Sequence, residues 1–322
     1  MVLVTGENGA GKTNLLEAIH LGTQGFSPRT RSDARMIRAG ESGSLVALRI
    51  DRAGVGHDVR VRLAPSSGKA AELDGTRLPS AESLRREFPT LVFTPDRLAV
   101  VKGGPAVRRA YLDRVLARLF PPSAGVPQEY AAALAQRNAA LRRAQLGIGP
   151  AEAVSPWTER VVALGSRLVA ARREAVVALE PGFAEQLARF GLPGGTLVYD
   201  GEPPTAEALA ARLETDLARG TTGFGPHLDD LVIAAGRELR GFGSQGEQRL
   251  AVLSLLLAEA ALLVPSPLVL LDDVLSELDE RRRGVLAEAV AGLGQTVITA
   301  THASALPSPP AQIVEVSGGT AV

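Results

Sequence analysis

The chain contains no cysteine, so it has neither a disulfide framework nor a thiolate metal site. A bound metal ion would therefore need carboxylate and hydroxyl ligands, which are the ligands that Mg²⁺ prefers. Lysine is also scarce, with residues only at Lys12, Lys69 and Lys102, and the other basic residues are arginine. Any role that requires a lysine thus has three candidates in the 322 residues.

Long apolar runs are absent as well. The longest, from Leu250 to Val264, is interrupted by Ser254 and Glu259 and is shorter than the ~20 residues that span a bilayer. The first residues show no basic segment followed by an apolar one, as a secretion signal would. We therefore expect a cytoplasmic protein with no membrane partner.

The formal net charge is zero, because 35 basic residues balance 35 acidic ones. A protein that coats nucleic acid through bulk positive charge is usually more basic, so we expect any DNA contact to be a local patch. One candidate is the basic stretch at 108–114, which helical spacing places on a helix face. This face is either simply solvated or a surface for DNA phosphates.

A glycine-rich segment separates the apolar run 2–4 from an amphipathic segment that begins at Asn14. Its G-x-x-x-x-G-K-[ST] spacing is typical of a P-loop between a strand and a helix. Inward-pointing backbone N–H groups and the positive end of the helix dipole would bind phosphates. Lys12 would reach the β- and γ-phosphates, and Thr13 would give its hydroxyl to Mg²⁺. The predicted nucleotide-binding residues of this loop are Gly6, Glu7, Asn8, Gly9, Ala10, Gly11, Lys12 and Thr13.

The aliphatic run 268–271 is followed by Asp272 and Asp273, which is the pattern of a Walker B strand. We expect Asp272 to hold Mg²⁺ beside Thr13 and Asp273 to polarise the attacking water. The strands that carry the two motifs should then be neighbours in the sheet. The alternative is a strand end with two solvated acids, which the P-loop upstream makes less favourable.

The segment 244–248 places Ser244 and Gly246 at the start of an almost wholly apolar helix, as in the signature motif of ABC-type ATPases. A helix N-terminus with a serine hydroxyl can bind phosphate, and in ABC-type ATPases it faces the nucleotide of the other subunit. Ser244 could instead only cap the helix, and the two roles are compatible. His302 follows the next strand, where such ATPases carry a γ-phosphate switch residue, although Thr301 could serve instead.

Periodicity predicts an α/β fold with an inserted helical domain. Alternating strands at 45–51, 58–63 and 69–73 predict an antiparallel meander, and further strands are expected at 91–94, 231–235, 238–241, 296–299 and 313–316. Helices are expected over 105–119, 129–146 and 156–179, the last ended by Pro181 and Gly182. We divide the chain into an N-terminal head part (1–98), a helical lid (99–219) and a C-terminal head part (220–322). Because the P-loop strand begins at the start of this sequence, we also expect one or two further strands upstream.

Taken together, these segments resemble the RecF family of bacterial recombination mediators. The resemblance is carried by residues 6–18, 108–113, 136–141, 225–230, 244–249 and 271–279. One position of these segments departs from the family pattern: Leu228 stands where Gly-Pro-His-Arg-Asp-Asp would have arginine.

The resemblance implies an ABC-type P-loop ATPase head with a mixed sheet, similar to SMC-class heads, and with a helical lid in place of a long coiled coil. It implies an ATP- and Mg²⁺-dependent homodimer in which each nucleotide lies between one P-loop and the other subunit's Ser244 and Gly246. The dimer would clamp double-stranded DNA near single-strand gaps. It would help RecO and RecR load RecA in gap repair, replication restart and the SOS response. Slow, DNA-stimulated ATP hydrolysis through Lys12, Asp272, Asp273 and His302 would release it.

Two other classes of protein remain possible from the residues alone. A P-loop kinase or transport ATPase would turn ATP over in the ordinary way, but a kinase has no signature helix ahead of its Walker B strand. An interaction protein with a vestigial site would not be expected to keep Lys12, Thr13, Asp272 and Asp273.

Overall fold

The computed structural model describes residues 1–30, 32–52, 54–65 and 68–322. The chain forms two compact units, each with its own sheet and buried apolar residues. The sheet unit comprises Met1–Arg97 and Leu263–Val322, and the helical unit comprises Leu98–Leu262. The predicted lid (99–219) lies within the helical unit, which continues to Leu262. The functional division at 98 and 219 stays a prediction.

The elements follow one another in three stretches. The sheet unit begins with β1 (Val2–Thr5), α1 (Lys12–Gln24), β2 (Ser44–Arg52), β3 (Val55–Ala64), β4 (Gly68–Leu73), β5 (Thr76–Arg77), α2 (Leu84–Glu87) and β6 (Thr90–Phe93). The helical unit contains α3 (Ala99–Lys102), α4 (Pro105–Leu119), α5 (Val126–Gln145), α6 (Ser155–Arg189), β7 (Gly195–Asp200), α7 (Ala206–Ala211), α8 (Leu213–Arg219), β8 (Asp230–Ala235), α9 (Leu239–Phe242) and α10 (Gln245–Leu262). The sheet unit resumes with β9 (Leu268–Leu271), α11 (Glu280–Ala291), β10 (Thr296–Ala300), β11 (Gln312–Ser317) and β12 (Thr320–Ala321).

The main sheet of the sheet unit has six strands in the order β12-β11-β1-β10-β9-β6. All its pairings are parallel except that of β11 with β12. The P-loop strand β1 is paired on both sides, with β10 and with β11. The expectation that β1 and the Walker B strand β9 are neighbours is wrong, because β10 lies between them. The β9–α11–β10 crossover places β10 beside β9, so motif order along the chain does not fix strand order.

The predicted antiparallel meander is confirmed as a separate sheet of β2 to β5. Helix α1 packs on both sheets: Leu16 belongs to the apolar cluster of the main sheet and Leu21 to that of the meander. Close approach requires a glycine at one point, since a Cβ on Gly22 would lie 2.3 Å from Cδ1 of Leu48. The N-terminal half of α1, which follows the P-loop, therefore packs on the main sheet, and its C-terminal end packs on the meander.

In the helical unit, α6 runs for 35 residues and contacts α5, α10 and β7. The predicted end of this helix at Pro181 is wrong. Proline has no backbone N–H, so Pro181 donates no hydrogen bond to the carbonyl of Val177. Val177 is exposed. Beyond it, Phe183 and Leu187 remain fully buried, so packing carries the helix past the proline.

Helix α10 is buried nearly all round, as its apolar sequence predicts. The strand predicted at 238–241 is wrong, because Leu239–Phe242 form the short helix α9. The carbonyls of Leu239 and Gly243 accept hydrogen bonds from Nε2 of Gln248, at 2.8 and 3.1 Å. A side chain thus satisfies carbonyls that a sheet partner would otherwise bond. Among the described residues, no helix combines the length and the apolarity needed to cross a bilayer.

Candidate functional site

The glycine-rich loop follows β1, and three of its glycines adopt backbone conformations with positive φ. Gly6, Gly9 and Gly11 have φ values of +152°, +84° and +115°, which side-chain-bearing residues rarely adopt. At Gly6 a Cβ would also lie 2.3 Å from the carbonyl oxygen of Val316. Gly11 is the N-cap of α1 and supplies no side-chain hydrogen bond. The N–H groups of the first helical turn are therefore left to bind an anion.

Lys12 folds back over this loop. Its Nζ donates to the carbonyls of Gly6 and Glu7, at 2.7 and 2.9 Å. The C-terminal hairpin of β11 and β12 supports the loop from the side, since the N–H of Gly319 donates to the carbonyl of Ala10 at 3.0 Å. The loop and this hairpin line a cleft of about 690 Å³, a volume typical of small-molecule sites.

Two predicted Mg²⁺ ligands meet beside the loop. The hydroxyl of Thr13 donates to Oδ1 of Asp272 at 3.1 Å, although the two residues are 259 positions apart in sequence. Asp272 is buried, and its N–H donates to the carbonyl of Phe93 at 3.0 Å. A hydroxyl and a carboxylate at the end of a phosphate-binding loop are the protein ligands with which Mg²⁺ is usually held in phosphate sites. These residues therefore fit the predicted ion.

Asp273 adopts a left-handed backbone with φ of +51°, which is uncommon for a residue other than glycine. Its N–H donates to Oγ1 of Thr299 at 2.8 Å, and the hydroxyl of Thr299 donates to Oδ1 of Asp272 at 3.0 Å. Its side chain is exposed beside the buried Asp272. Thr299 was missed from the sequence. The sequence shows two threonines, Thr296 and Thr299, in the strand, and nothing in the sequence distinguishes them.

Thr301 and His302 follow β10, and both are exposed. They line the same cleft as residues 5–10 of the loop. The sheet unit thus brings the P-loop, Thr13, Asp272 and Asp273 to the carboxyl ends of β1 and β9, with His302 at the cleft. The geometry favours neither Thr301 nor His302 as the switch residue.

Ser244 and Gly246 belong to the helical unit, at the exposed start of α10. Oγ of Ser244 accepts from the N–H of Glu247 at 3.2 Å, and a Glu247 carboxylate oxygen accepts from the N–H of Ser244 at 2.6 Å. This reciprocal pair is a capping box. The bond from the Ser244 N–H lowers the pKa of Glu247, and Arg237 pairs with the same carboxylate at 3.2 Å. The hydroxyl of Ser244 also hydrogen-bonds the Glu247 carboxylate, which lowers the same pKa, so in this structure the hydroxyl belongs to the cap.

The basic stretch at 108–114 is not a fully solvated helix face, and its role as a DNA surface stays a prediction. Arg108 is buried and makes a bidentate pair with Asp230, at 2.6 and 2.7 Å. Arg109 donates to the carbonyl of Asp229 at 2.6 Å, and Arg114 is not exposed. Burial acts to raise the pKa of Asp230, but the bonds from Arg108 hold it below its usual value. Helical spacing cannot distinguish such buried ion pairs from surface charges.

A second polar network inside the helical unit is formed by residues of two segments of the family pattern, 136–141 and 225–230. The guanidinium of Arg137 donates to Asp216 at 2.9 Å and to the hydroxyl of Thr222 at 2.7 Å. Oδ1 of Asn138 accepts from Thr222, and His227 contacts both the Thr222 carbonyl and the Tyr130 hydroxyl. Two segments of the family pattern thus hold the loop before β8. Leu228 is exposed, and nothing in the structure explains a leucine where the resemblance predicts arginine.

Comparison with known proteins agrees with this geometry. The model of the RecF/RecN/SMC N-terminal domain matches residues 1–317. Two relatives of this chain are named DNA replication and repair protein RecF. The one from Anaeromyxobacter dehalogenans strain 2CP-1 is 40% identical to this chain, over 93% of this chain and 86% of that protein. The one from Thermosynechococcus vestitus is 35% identical, over 99% of this chain and 90% of that protein. A solved structure of the recombination mediator RecF with ATP, in the RecFOR pathway, aligns with a TM-score of 0.84 at 26% identity, over 100% of this chain and 91% of that one. An Smc head domain from Pyrococcus furiosus, at 18% identity and a TM-score of 0.59, shares the fold. The predicted α/β fold of an ABC/SMC-type head is confirmed.

Proposed function

Because the chain belongs to the RecF family, within the larger RecF/RecN/SMC group, we propose that it is an ATP-dependent DNA-binding protein of DNA replication and repair. The observation that carries the proposal is the contact between Thr13 and Asp272 at the end of the phosphate-binding loop. It brings together ligands from two distant motifs, as ATP-dependent heads require. Relatives named for DNA replication and repair supply the biological setting.

In this proposal the sheet unit holds Mg²⁺ and ATP. Backbone N–H groups of residues 6–13 bind the phosphates. Lys12 exchanges its two carbonyl contacts for the β- and γ-phosphates. Thr13 and Asp272 hold the ion, which when bound neutralises negative charge on the phosphates. Asp273 orients the attacking water, with His302 or Thr301 near the γ-phosphate.

The proposed site is completed by a second copy of the chain. The start of α10 carries the exposed Ser244, whose hydroxyl would turn from the Glu247 carboxylate to the phosphate. Gly246 leaves open space above the helix N-terminus, since a Cβ there would meet only Oγ of Ser244 at 4.0 Å. Such a surface suits the γ-phosphate held by a partner's P-loop. The ATP-dependent homodimer thus has two composite sites.

The homodimer would act as a clamp on double-stranded DNA near single-strand gaps. We propose RecO and RecR as its partners in loading RecA, in keeping with the RecFOR pathway in which the solved relative takes part. Hydrolysis would be weak, because the carboxylate of Asp273 is one methylene shorter than a glutamate and reaches the water less well. In this proposal DNA would stimulate it. The cytoplasm, at the nucleoid, is the proposed location.

An ATP-binding measurement on Lys12→Ala tests the proposed site. Hydrogen bonds to a charged group contribute about 1.5–3 kcal/mol each, and Lys12 would make more than one to phosphate. We expect the affinity for Mg²⁺-ATP to fall by roughly a hundredfold or more. Lys102→Ala is the matched control, because Lys102 is exposed in the other unit, and it should bind as the unmodified chain does. Equal binding by all three proteins would refute the proposed site.

A further inference from the structure

Thr299 is a buried threonine at the carboxyl end of β10, with 1% of its surface exposed. Its strand lies between the P-loop strand β1 and the Walker B strand β9. In register it lies opposite Val4 on β1, while Ile298, one residue earlier, is opposite Leu271 on β9. Thr299 therefore stands just where the chain of β9 passes into Asp272 and Asp273.

The hydroxyl of Thr299 takes part in two hydrogen bonds, and both involve the Walker B carboxylate pair. It donates to Oδ1 of Asp272 at 3.0 Å and accepts from the N–H of Asp273 at 2.8 Å. A hydroxyl that accepts one bond and donates another is polarised, and each bond strengthens the other. The two acidic residues are thus joined through one buried side chain.

The first bond fixes the rotation of the Asp272 carboxylate. Oδ1 accepts from the hydroxyls of both Thr13 and Thr299, and these two bonds leave Oδ2, which none of the hydrogen bonds found in the described ranges involves, to face an ion or its bound water. The second bond holds the N–H of Asp273 in a residue whose φ of +51° is unfavourable for aspartate. Without that bond, the backbone that aims the Asp273 side chain would lose its anchor.

We propose that Thr299 is a positioning residue for the Mg²⁺-ATP site: it orients the carboxylate of Asp272 and holds the backbone of Asp273. This inference rests on the proposed function, since it assigns a supporting group to the same site. Groups that orient metal ligands are required nearly as strictly as the ligands themselves. Thr299 itself contacts neither ion nor nucleotide in this role.

The same strand offers a matched control. Thr296 is fully buried on β10, and its hydroxyl has no hydrogen-bond partner in the part of the chain that the structure describes. Replacing either threonine by valine removes one hydroxyl from one buried position of one strand. A difference between the two variants therefore reports the two bonds of Thr299 and not the general cost of changing β10.

The experiment measures binding of a fluorescent ATP analogue to the full chain as Mg²⁺ is added. Loss of a group that orients a metal ligand typically costs 10–100-fold in metal affinity. We expect Thr299→Val to raise the Mg²⁺ concentration for half-maximal binding by about tenfold or more. Thr299→Ser keeps the hydroxyl and should restore it to within about twofold, and Thr296→Val should leave it unchanged. With EDTA in place of Mg²⁺, all four proteins should bind the analogue equally weakly.

Two results would overturn the role of Thr299: a Mg²⁺ titration of Thr299→Val that coincides with that of the unmodified chain, or an equal shift in Thr296→Val. Failure of the unmodified chain to bind the analogue at any Mg²⁺ concentration would instead refute the proposed nucleotide site. Thermal unfolding of each variant is recorded alongside. If Thr299→Val does not fold, Thr299→Ala takes its place with the same expectation.

Discussion

His227 lies between an acceptor and a donor, and this arrangement sets its protonation state. Its Nε2 is 3.0 Å from the carbonyl of Thr222, and its Nδ1 is 2.8 Å from the hydroxyl of Tyr130. A carbonyl only accepts, so Nε2 carries the hydrogen and Nδ1 accepts from the tyrosine. Burial lowers the pKa of His227. Protonation at Nδ1 would remove the acceptor that Tyr130 uses.

This environment predicts a pH dependence of stability. Because the folded pKa lies below the ordinary value of 6.5, the stabilisation is fully present above pH 6.5 and is lost as the pH falls toward the folded pKa. In the His227→Gln variant, the introduced amide can donate to Thr222 and accept from Tyr130 without titrating. Thermal unfolding between about pH 8 and pH 5 should therefore show a smaller loss of Tm in this variant. Neighbouring charges such as Asp229 and Arg109 are common to both proteins. Parallel Tm curves would contradict this account of His227.

Single residues differ in how well sequence alone could identify them. Lys12, Thr13 and Asp272 belong to local patterns whose spacing encodes a phosphate or metal role. Thr299 contacts residues 26 and 27 positions away, and no local pattern reports such a contact. For Arg108, the helical spacing can be seen in the sequence, but its ion-pair partner Asp230 cannot, because Asp230 is 122 positions away.

At the scale of elements, the start of α10 combines two tasks. Ser244 caps the helix through the N–H of Glu247, and it would also meet a partner's phosphate. A second helix of the same unit, α7, is capped without any proposed ligand: Oγ1 of Thr205 accepts from the N–H of Ala208 at 3.1 Å. The two caps allow capping and phosphate binding to be separated.

We expect Ser244→Ala and Thr205→Ala to lower the free energy of unfolding by similar amounts, about 1 kcal/mol each. Only Ser244→Ala should weaken ATP-dependent dimerisation. Denaturant unfolding measures the first effect, and sedimentation with Mg²⁺-ATP measures the second. Should both variants dimerise as the unmodified chain does, Ser244 would be a cap alone.

Most elements were predictable because their periodicity is local. Strands β2 to β4, β6 and β8 to β11, and helices α4 and α5, lie close to their predicted bounds. The exceptions involve tertiary contacts that override a local signal. Packing of Phe183 and Leu187 carries α6 past Pro181, and Gln248 bonds the carbonyls of the helix that replaces the predicted strand at 238–241.

At the scale of the whole molecule, the chain leaves the sheet unit after Arg97 and returns to it at Leu263. The predicted nucleotide-binding residues 6–13 and the pair Asp272 and Asp273 lie in one unit, and Ser244 and Gly246 lie in the other. The strand order, with β10 between β1 and β9, could not be read from motif order. The central claim is that two copies of this chain share each nucleotide.

The most direct measurement is the solution mass by light scattering, with ADP and then with ATP and Mg²⁺. Asp273→Asn is used to slow hydrolysis, because it removes the charge proposed to polarise the water. Ser244→Arg is the control, since a bulky cation at the start of α10 would block the partner's phosphate while leaving the P-loop of the same chain intact. The account predicts that the mass doubles from 33.6 kDa only with ATP, and that Ser244→Arg binds ATP but stays monomeric. A monomer under both conditions, or a normal ATP-dependent dimer of Ser244→Arg, would contradict the shared site.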